Sequence, residues 1–125
     1  MQTLRVLVVD DDPGMAELIS EQLSAWDFEP AAAGGVDEAL ALLSTRSFDL
    51  VLSDLHMPRK NGFELLRLVQ ESWSGTPVIL FSSFPSVEAQ RQALEGGARR
   101  FLSKPFALAA LREAVESEVR RIPPP

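Results

Sequence analysis

The sequence predicts an α/β fold, a doubly wound parallel sheet of five strands covered by helices on both faces. Three observations carry that prediction. Apolar runs and amphipathic stretches alternate five times along the chain. The runs Leu4 to Val9 and Leu50 to Ser53 are apolar enough to be buried strands. Clusters such as Gly34-Gly35 and Gly75-Thr76-Pro77 punctuate the units. With 125 residues and 46% hydrophobic content, the chain has material for one core and no room for a second domain.

Each element follows in order. Leu4 to Val9 reads as the first strand, and Pro13 sits in the first turn of a helix whose Met15, Leu18, Ile19, Leu23 and Trp26 recur at helical spacing. Phe28 to Ala33 is a weaker strand, because Pro30 cannot donate a ladder hydrogen bond and belongs on a sheet edge. Val36, Ala39, Leu40 and Leu43 make a short second helix, and Asp49 to Ser53 returns as a central strand. The loop Leu55 to Gly62 contains Pro58, Asn61 and Gly62, all turn residues. From near Asn61 a third helix carries Phe63, Leu66, Val69 and Trp73. Val78 to Phe81 is the fourth strand, Ser82 to Pro85 introduce a fourth helix ending at Gly96-Gly97, and Arg100 to Ser103 is a brief fifth strand at the other edge. The last helix takes Leu108, Leu111, Val115, Val119 and Ile122 as its apolar stripe. The reading assigns residues 1–122 to the domain and Pro123 to Pro125 to a tail or the start of a linker.

Bulk properties narrow the function. There are no cysteines, so disulfides and thiolate metal sites are excluded, which fits a reducing cytoplasm. No stretch approaches the run of about 18 apolar residues a membrane span needs. The chain thus reads as soluble and cytoplasmic. A net charge of −6 argues against nucleic-acid binding by this segment. Against 10 arginines stand only two lysines, Lys60 and Lys104, so a lysine here is a candidate for a specific role.

In an open parallel sheet, ligands bind outside the carboxyl ends of the strands. Asp10 and Asp11 close strand one, Asp54 closes strand three, Ser82 closes strand four and Lys104 closes strand five. Like charges a few ångströms apart repel by roughly 4 kcal/mol at an effective dielectric of about 20, so such a gathering calls for a cation. Hard carboxylate oxygens with water suit Mg²⁺, whose remaining ligands would come from a phosphoryl group. A carboxylate can attack phosphorus when cations neutralise the transferring group, and Lys104 and Mg²⁺ would do so here. Asp12, before Pro13, reads instead as a helix cap. The ring of His56, the only histidine, reads as a solvent-facing loop group rather than a ligand.

The chain resembles the receiver domain of two-component response regulators from residue 4 to about 120. The resemblance rests on Val8-Val9-Asp10-Asp11, on Asp54 followed by Met57-Pro58 and Gly62, on Pro77-Val78-Ile79-Leu80 leading to Ser82, and on Gly97-Ala98 with Phe101-Leu102-Ser103-Lys104-Pro105-Phe106. It implies a flavodoxin-like fold with strand order 2-1-3-4-5. It also implies that Asp54 accepts a phosphoryl group from a sensor histidine kinase or a histidine phosphotransfer protein. Mg²⁺ would be held by Asp11, Asp54 and the backbone carbonyl of His56, with Asp10 acting through water. Lys104 would pair with the aspartyl phosphate, Ser82 would turn toward it, and Phe101 stands where the family has its switch aromatic. Phe101 as plain core remains the competing reading. A cis Lys104-Pro105 bond is implied as well.

Two departures are visible. Ser82 stands where threonine is commoner, which keeps the hydroxyl and loosens its rotamer. His56 and Phe84 occupy positions that in the family govern the access of water to the phosphate, and bulky Phe84 is expected to slow hydrolysis. The alternatives are a haloacid-dehalogenase-like phosphohydrolase, a flavin module and an unphosphorylated scaffold. The first usually has a second aspartate where this chain has His56 and lacks room for a cap domain, and the second needs a glycine-rich phosphate loop where this chain has aspartates. A scaffold would be expected to lose some of the acids or the lysine. The reading is therefore a signalling phosphoacceptor that catalyses its own phosphorylation and dephosphorylation. Its partner-binding face, for an output partner or a second copy, is expected on the fourth helix, fifth strand and fifth helix, which carry Arg91, Arg99, Arg100 and Arg112.

Overall fold

A computed structural model describes residues 3–120. Five parallel strands, β1 (Arg5–Val9), β2 (Glu29–Ala33), β3 (Leu50–Asp54), β4 (Val78–Ser82) and β5 (Arg100–Ser103), form one sheet in the order β2-β1-β3-β4-β5. Between and after them run α1 (Pro13–Ala25), α2 (Val36–Thr45), α3 (Gly62–Ser72), α4 (Val87–Glu95) and α5 (Leu108–Val119). The doubly wound α/β reading and its strand order hold. Pro30 lies on edge strand β2, where its missing donor costs no ladder bond on the outer side.

The alternation of side chains divides the core into two layers. Leu7, Val9, Val51, Val78 and Leu80 face α2, α3 and α4, whereas Val6, Val8, Leu50, Leu52, Ile79 and Phe81 face α1 and α5. Both faces are dry, which is why these strands read as continuous apolar runs.

The helices begin where capping chemistry allows. The Asp12 carboxylate accepts from the Gly14 and Met15 amides, as expected of a cap. Asn61 and Glu64 form a reciprocal capping box at α3. α4 starts only at Val87, because Ser86, not Ser82, supplies its cap. Leu108, placed in the apolar stripe of α5 by its spacing, is in fact exposed, since the first turn of that helix overhangs the layer beneath it. The expectations for Ile122 and for Pro123 to Pro125 lie outside the described residues.

The arginines expected to mark a binding face are largely engaged within the molecule. Arg91 pairs with Glu88 and Glu95, Arg99 and Arg100 converge on buried Glu118, and Arg112 pairs with Glu116 while lying 5.5 Å from the centre of the Trp26 ring. Among the described residues no helix is long and apolar enough to cross a membrane.

Candidate functional site

The carboxyl rim of the sheet places side chains by parity. Val9 pairs with Ser53, so one step further Asp10 comes beside Asp54; Asp54 pairs with Phe81 and Phe81 with Leu102. Asp10, Asp54 and Phe81 therefore continue the rows that face α1 and α5. Ser82 and Phe101 fall on the opposite pleat, toward α4, where Phe101 is half-buried against the α2–α4 layer.

The acids converge. Asp10, Asp11 and Asp54 each offer a carboxylate oxygen within 4.8 Å of the other two. Asp10 and Asp54 are only 2% and 6% exposed, while Asp11 is open to solvent. Lys104, its side chain 11% exposed, reaches across to donate to Asp10 Oδ2 at 3.0 Å and stands 3.7 Å from Asp54 Oδ1. One ammonium against three carboxylates leaves the pocket short of positive charge. Burial pushes the Asp54 carboxyl above its ordinary value, and the Asp10 charge adds to the effect. Lys104 opposes this shift, Asp11 adds to it, and the His56 backbone N–H opposes it weakly.

The loop that follows Asp54 is locked by close packing. The Gly62 amide donates to Leu55 O at 2.9 Å, and a Cβ on Gly62 would lie 2.7 Å from Asp54 O. Only glycine lets α3 start this near the acid. Lys60, the other lysine, ties that loop to α2 through Asp37 at 2.7 Å. Lys104 N donates to Ser82 O at 2.7 Å, and the Lys104-Pro105 bond is cis, as the resemblance implied.

Other residues named from the sequence sit nearby in roles of their own. The Ser82 hydroxyl accepts from the Phe84 amide at 3.0 Å and has no hydrogen bond to Asp54 or Lys104 among the described residues. The His56 ring is exposed and packs edge-on against Phe84, 5.7 Å between centres at 74°, which joins the β3–α3 and β4–α4 loops. Phe84 itself is 76% exposed. Sequence reasoning missed Phe81, whose ring centre lies 4.8 Å from Lys104 Nζ. In an apolar run it read as core, and only its place one residue before Ser82 and in the row of Asp54 singles it out.

A doubly wound sheet carrying such an acid-and-lysine rim defines a class of α/β signalling domain. The chain belongs to the response regulator receiver domain family, whose model matches residues 6–116. It is 36% identical over 120 residues to the response regulator protein PilR of Pseudomonas aeruginosa, a match covering 96% of this chain and 27% of that protein. It is 32% identical over 118 residues to the probable transcriptional regulatory protein SilR of Salmonella typhimurium, covering 94% and 52%. The chain thus spans about a quarter to a half of the length of these relatives. Among solved structures, the receiver domain of the Francisella response regulator 1452 superposes with a TM-score of 0.89 at 31% identity, covering 95% and 98% of the two chains. A CheY-like receiver domain protein from Methanospirillum hungatei JF-1 gives 0.90 at 27%, covering 95% of each. The chain is accordingly a signalling domain of two-component response regulators, and nothing favours the phosphohydrolase or scaffold alternatives.

Proposed function

We propose that Asp54 is the phosphoacceptor and that the domain catalyses its own phosphorylation and dephosphorylation. The observation that carries this reading is a buried Asp54 carboxylate facing Asp10, Asp11 and Lys104 on one rim. Its oxygen would attack the phosphorus of a phosphohistidine on a sensor kinase or phosphotransfer protein. A P–O bond forms as the P–N bond breaks, and the leaving imidazole keeps the electron pair and takes up a proton.

The donor set brought together here, three carboxylates, is all hard oxygen and short of positive charge, so it fits Mg²⁺. Asp11, Asp54 and the His56 carbonyl would hold the ion, with Asp10 acting through water, and when bound it supplies charge neutralisation. Lys104 would release Asp10 and pair with the phosphoryl oxygens. Ser82 would exchange the Phe84 amide for the same group, and Phe101, on the same pleat, would follow it inward. The ring pair of His56 and Phe84, two residues after Asp54 and Ser82, would retard water, so Phe84→Ala is expected to shorten the phosphoryl lifetime.

The receiver unit is read as residues 1–122, with Pro123 to Pro125 a tail or the start of a linker, acting in the cytoplasm. Phosphorylation needs to bias two packings by only a few kcal/mol to alter the face formed by α4, β5 and α5, and an output partner or second copy would read that face. Incubation with acetyl phosphate and Mg²⁺, followed by intact mass measurement, tests the assignment. A single adduct lost in Asp54→Asn is expected; an adduct surviving that substitution, or turnover of many phosphate esters, would refute it.

A further inference from the structure

Lys104 starts on the far side of β4 from its partners. Its strand, β5, is the edge; Asp54 is on β3 and Asp10 follows β1. To reach them the side chain must cross β4 at the row of Asp54, and the residue there is Phe81. The ammonium stands 4.8 Å from the Phe81 ring centre, within the range of a cation–π attraction. Phe81 is fully buried, and Phe106 packs edge-on against it, with centres 5.9 Å apart at 69°. Its ring is therefore a fixed surface rather than an adaptable one.

On the phosphoacceptor reading of Asp54, the other partners of Lys104 would not be constant. Asp10 and Asp54 attract it in the present state, yet both are the groups that a divalent cation and a phosphoryl group would engage. The ring is the contact of the ammonium that neither a divalent cation nor a phosphoryl group would compete for during that exchange. Without it, a lysine displaced from Asp10 would swing into solvent and have to be recaptured as charge develops. With it, the ammonium stays within reach of Asp54 and needs little reorganisation. We infer that Phe81 is a positioning residue for phosphoryl capture, its aromatic face seating Lys104 while the acids change partners. The inference rests on the phosphoacceptor reading of Asp54 and assigns to the Phe81 ring a part in that site.

The experiment varies the ring's charge distribution without its shape. Phenylalanines bearing one, two and three ring fluorines are placed at position 81 only, beside Phe81→Leu. Beryllofluoride affinity in Mg²⁺ and the rate of adduct formation with acetyl phosphate are then measured. A stepwise loss reaching about tenfold at the most fluorinated ring is expected, matching the usual strength of a partly desolvated cation–π contact. The Lys104 ε-protons should show an upfield ring-current shift in the parent protein that disappears in Phe81→Leu. A flat fluorine series in folded protein, or the absence of that shift, overturns the inference. Failure of the parent protein to form any adduct on Asp54 would instead bring down the phosphoacceptor reading, and the role given to Phe81 with it.

Discussion

Helices α3 and α4 lie on the same face of the sheet and leave the same rim, one after Asp54 and the other after Ser82. α3 sinks Leu65, Leu66 and Val69 into the core and starts from a capping box. α4 buries Ala93 alone, leaves Val87 85% and Leu94 45% exposed, and dresses its surface with the Glu88–Arg91–Glu95 ion pairs. Exposed pairs of that kind contribute little, so α4 is held mainly by two small side chains, buried Ala93 and partly buried Ala89, and a serine cap. The site therefore has a firmly packed wall and a lightly packed one. The Ser82 hydroxyl, bonded to the Phe84 amide at the approach to α4, lies beside the lightly packed wall.

Truncation gives the largest test of this contrast. Leu65→Ala should cost about 3 kcal/mol in denaturant unfolding, since it empties a fully buried site in α3. A loss near zero would show that α3 is no firmer than α4. Gly62→Ala should cost about 2 kcal/mol, because its Cβ meets Asp54 and Leu55 backbone atoms that cannot give way, and adduct formation should fall as Asp54 is displaced. Ser86→Ala should cost about 1 kcal/mol, with faster amide exchange confined to the first turns of α4. Exchange spreading into α3 would mean that the two walls move together.

The charge enclosed between these walls gives a smaller, pH-dependent effect. Burial first, and then Asp10, raise the Asp54 carboxyl, so the folded state holds that proton more tightly than the unfolded chain. Stability from this group is then fullest in acid and declines as pH rises from the ordinary carboxylate range through the raised value. Asp54→Asn should abolish that decline and melt a few degrees higher at neutral pH, measured by thermal unfolding. An unchanged profile would mean that Lys104 already balances the acids. Val87→Ser should change stability by less than about 0.5 kcal/mol, because the side chain is already in water. A larger loss, dependent on protein concentration, would show that α4 is covered by a second copy in solution.

Much of this was legible in the residues. Strands buried on both faces must be apolar at every position, so β1, β3 and β4 announce themselves, and Pro30 marks an edge by chemistry alone. The Asp12 cap and the Asn61 start of α3 follow from local hydrogen bonding. Helix α4 was less legible: its start was blurred by three serines near Pro85, and which one caps depends on the path of the loop. Leu108 fits the stripe of α5 by spacing, yet the end of a helix need not lie over the core. That Arg99 and Arg100 both reach Glu118 of α5 could not be read from spacing, because the pairing depends on how α5 packs beside β5.

By itself, the sequence determined which side chains arrive at the rim, because the length and parity of each apolar run decide where a strand ends and what its last residue is. Asp10, Asp11, Asp54, Ser82 and Lys104 follow from that local count. Only the tertiary structure decided who touches whom there. Lys104 rests on Asp10 and over Phe81, Ser82 turns to Phe84, and His56 meets Phe84, because these contacts depend on strand order, register and the crossing of loops far apart in the chain. Such distances are set by the packing of the whole sheet, and no local pattern encodes them.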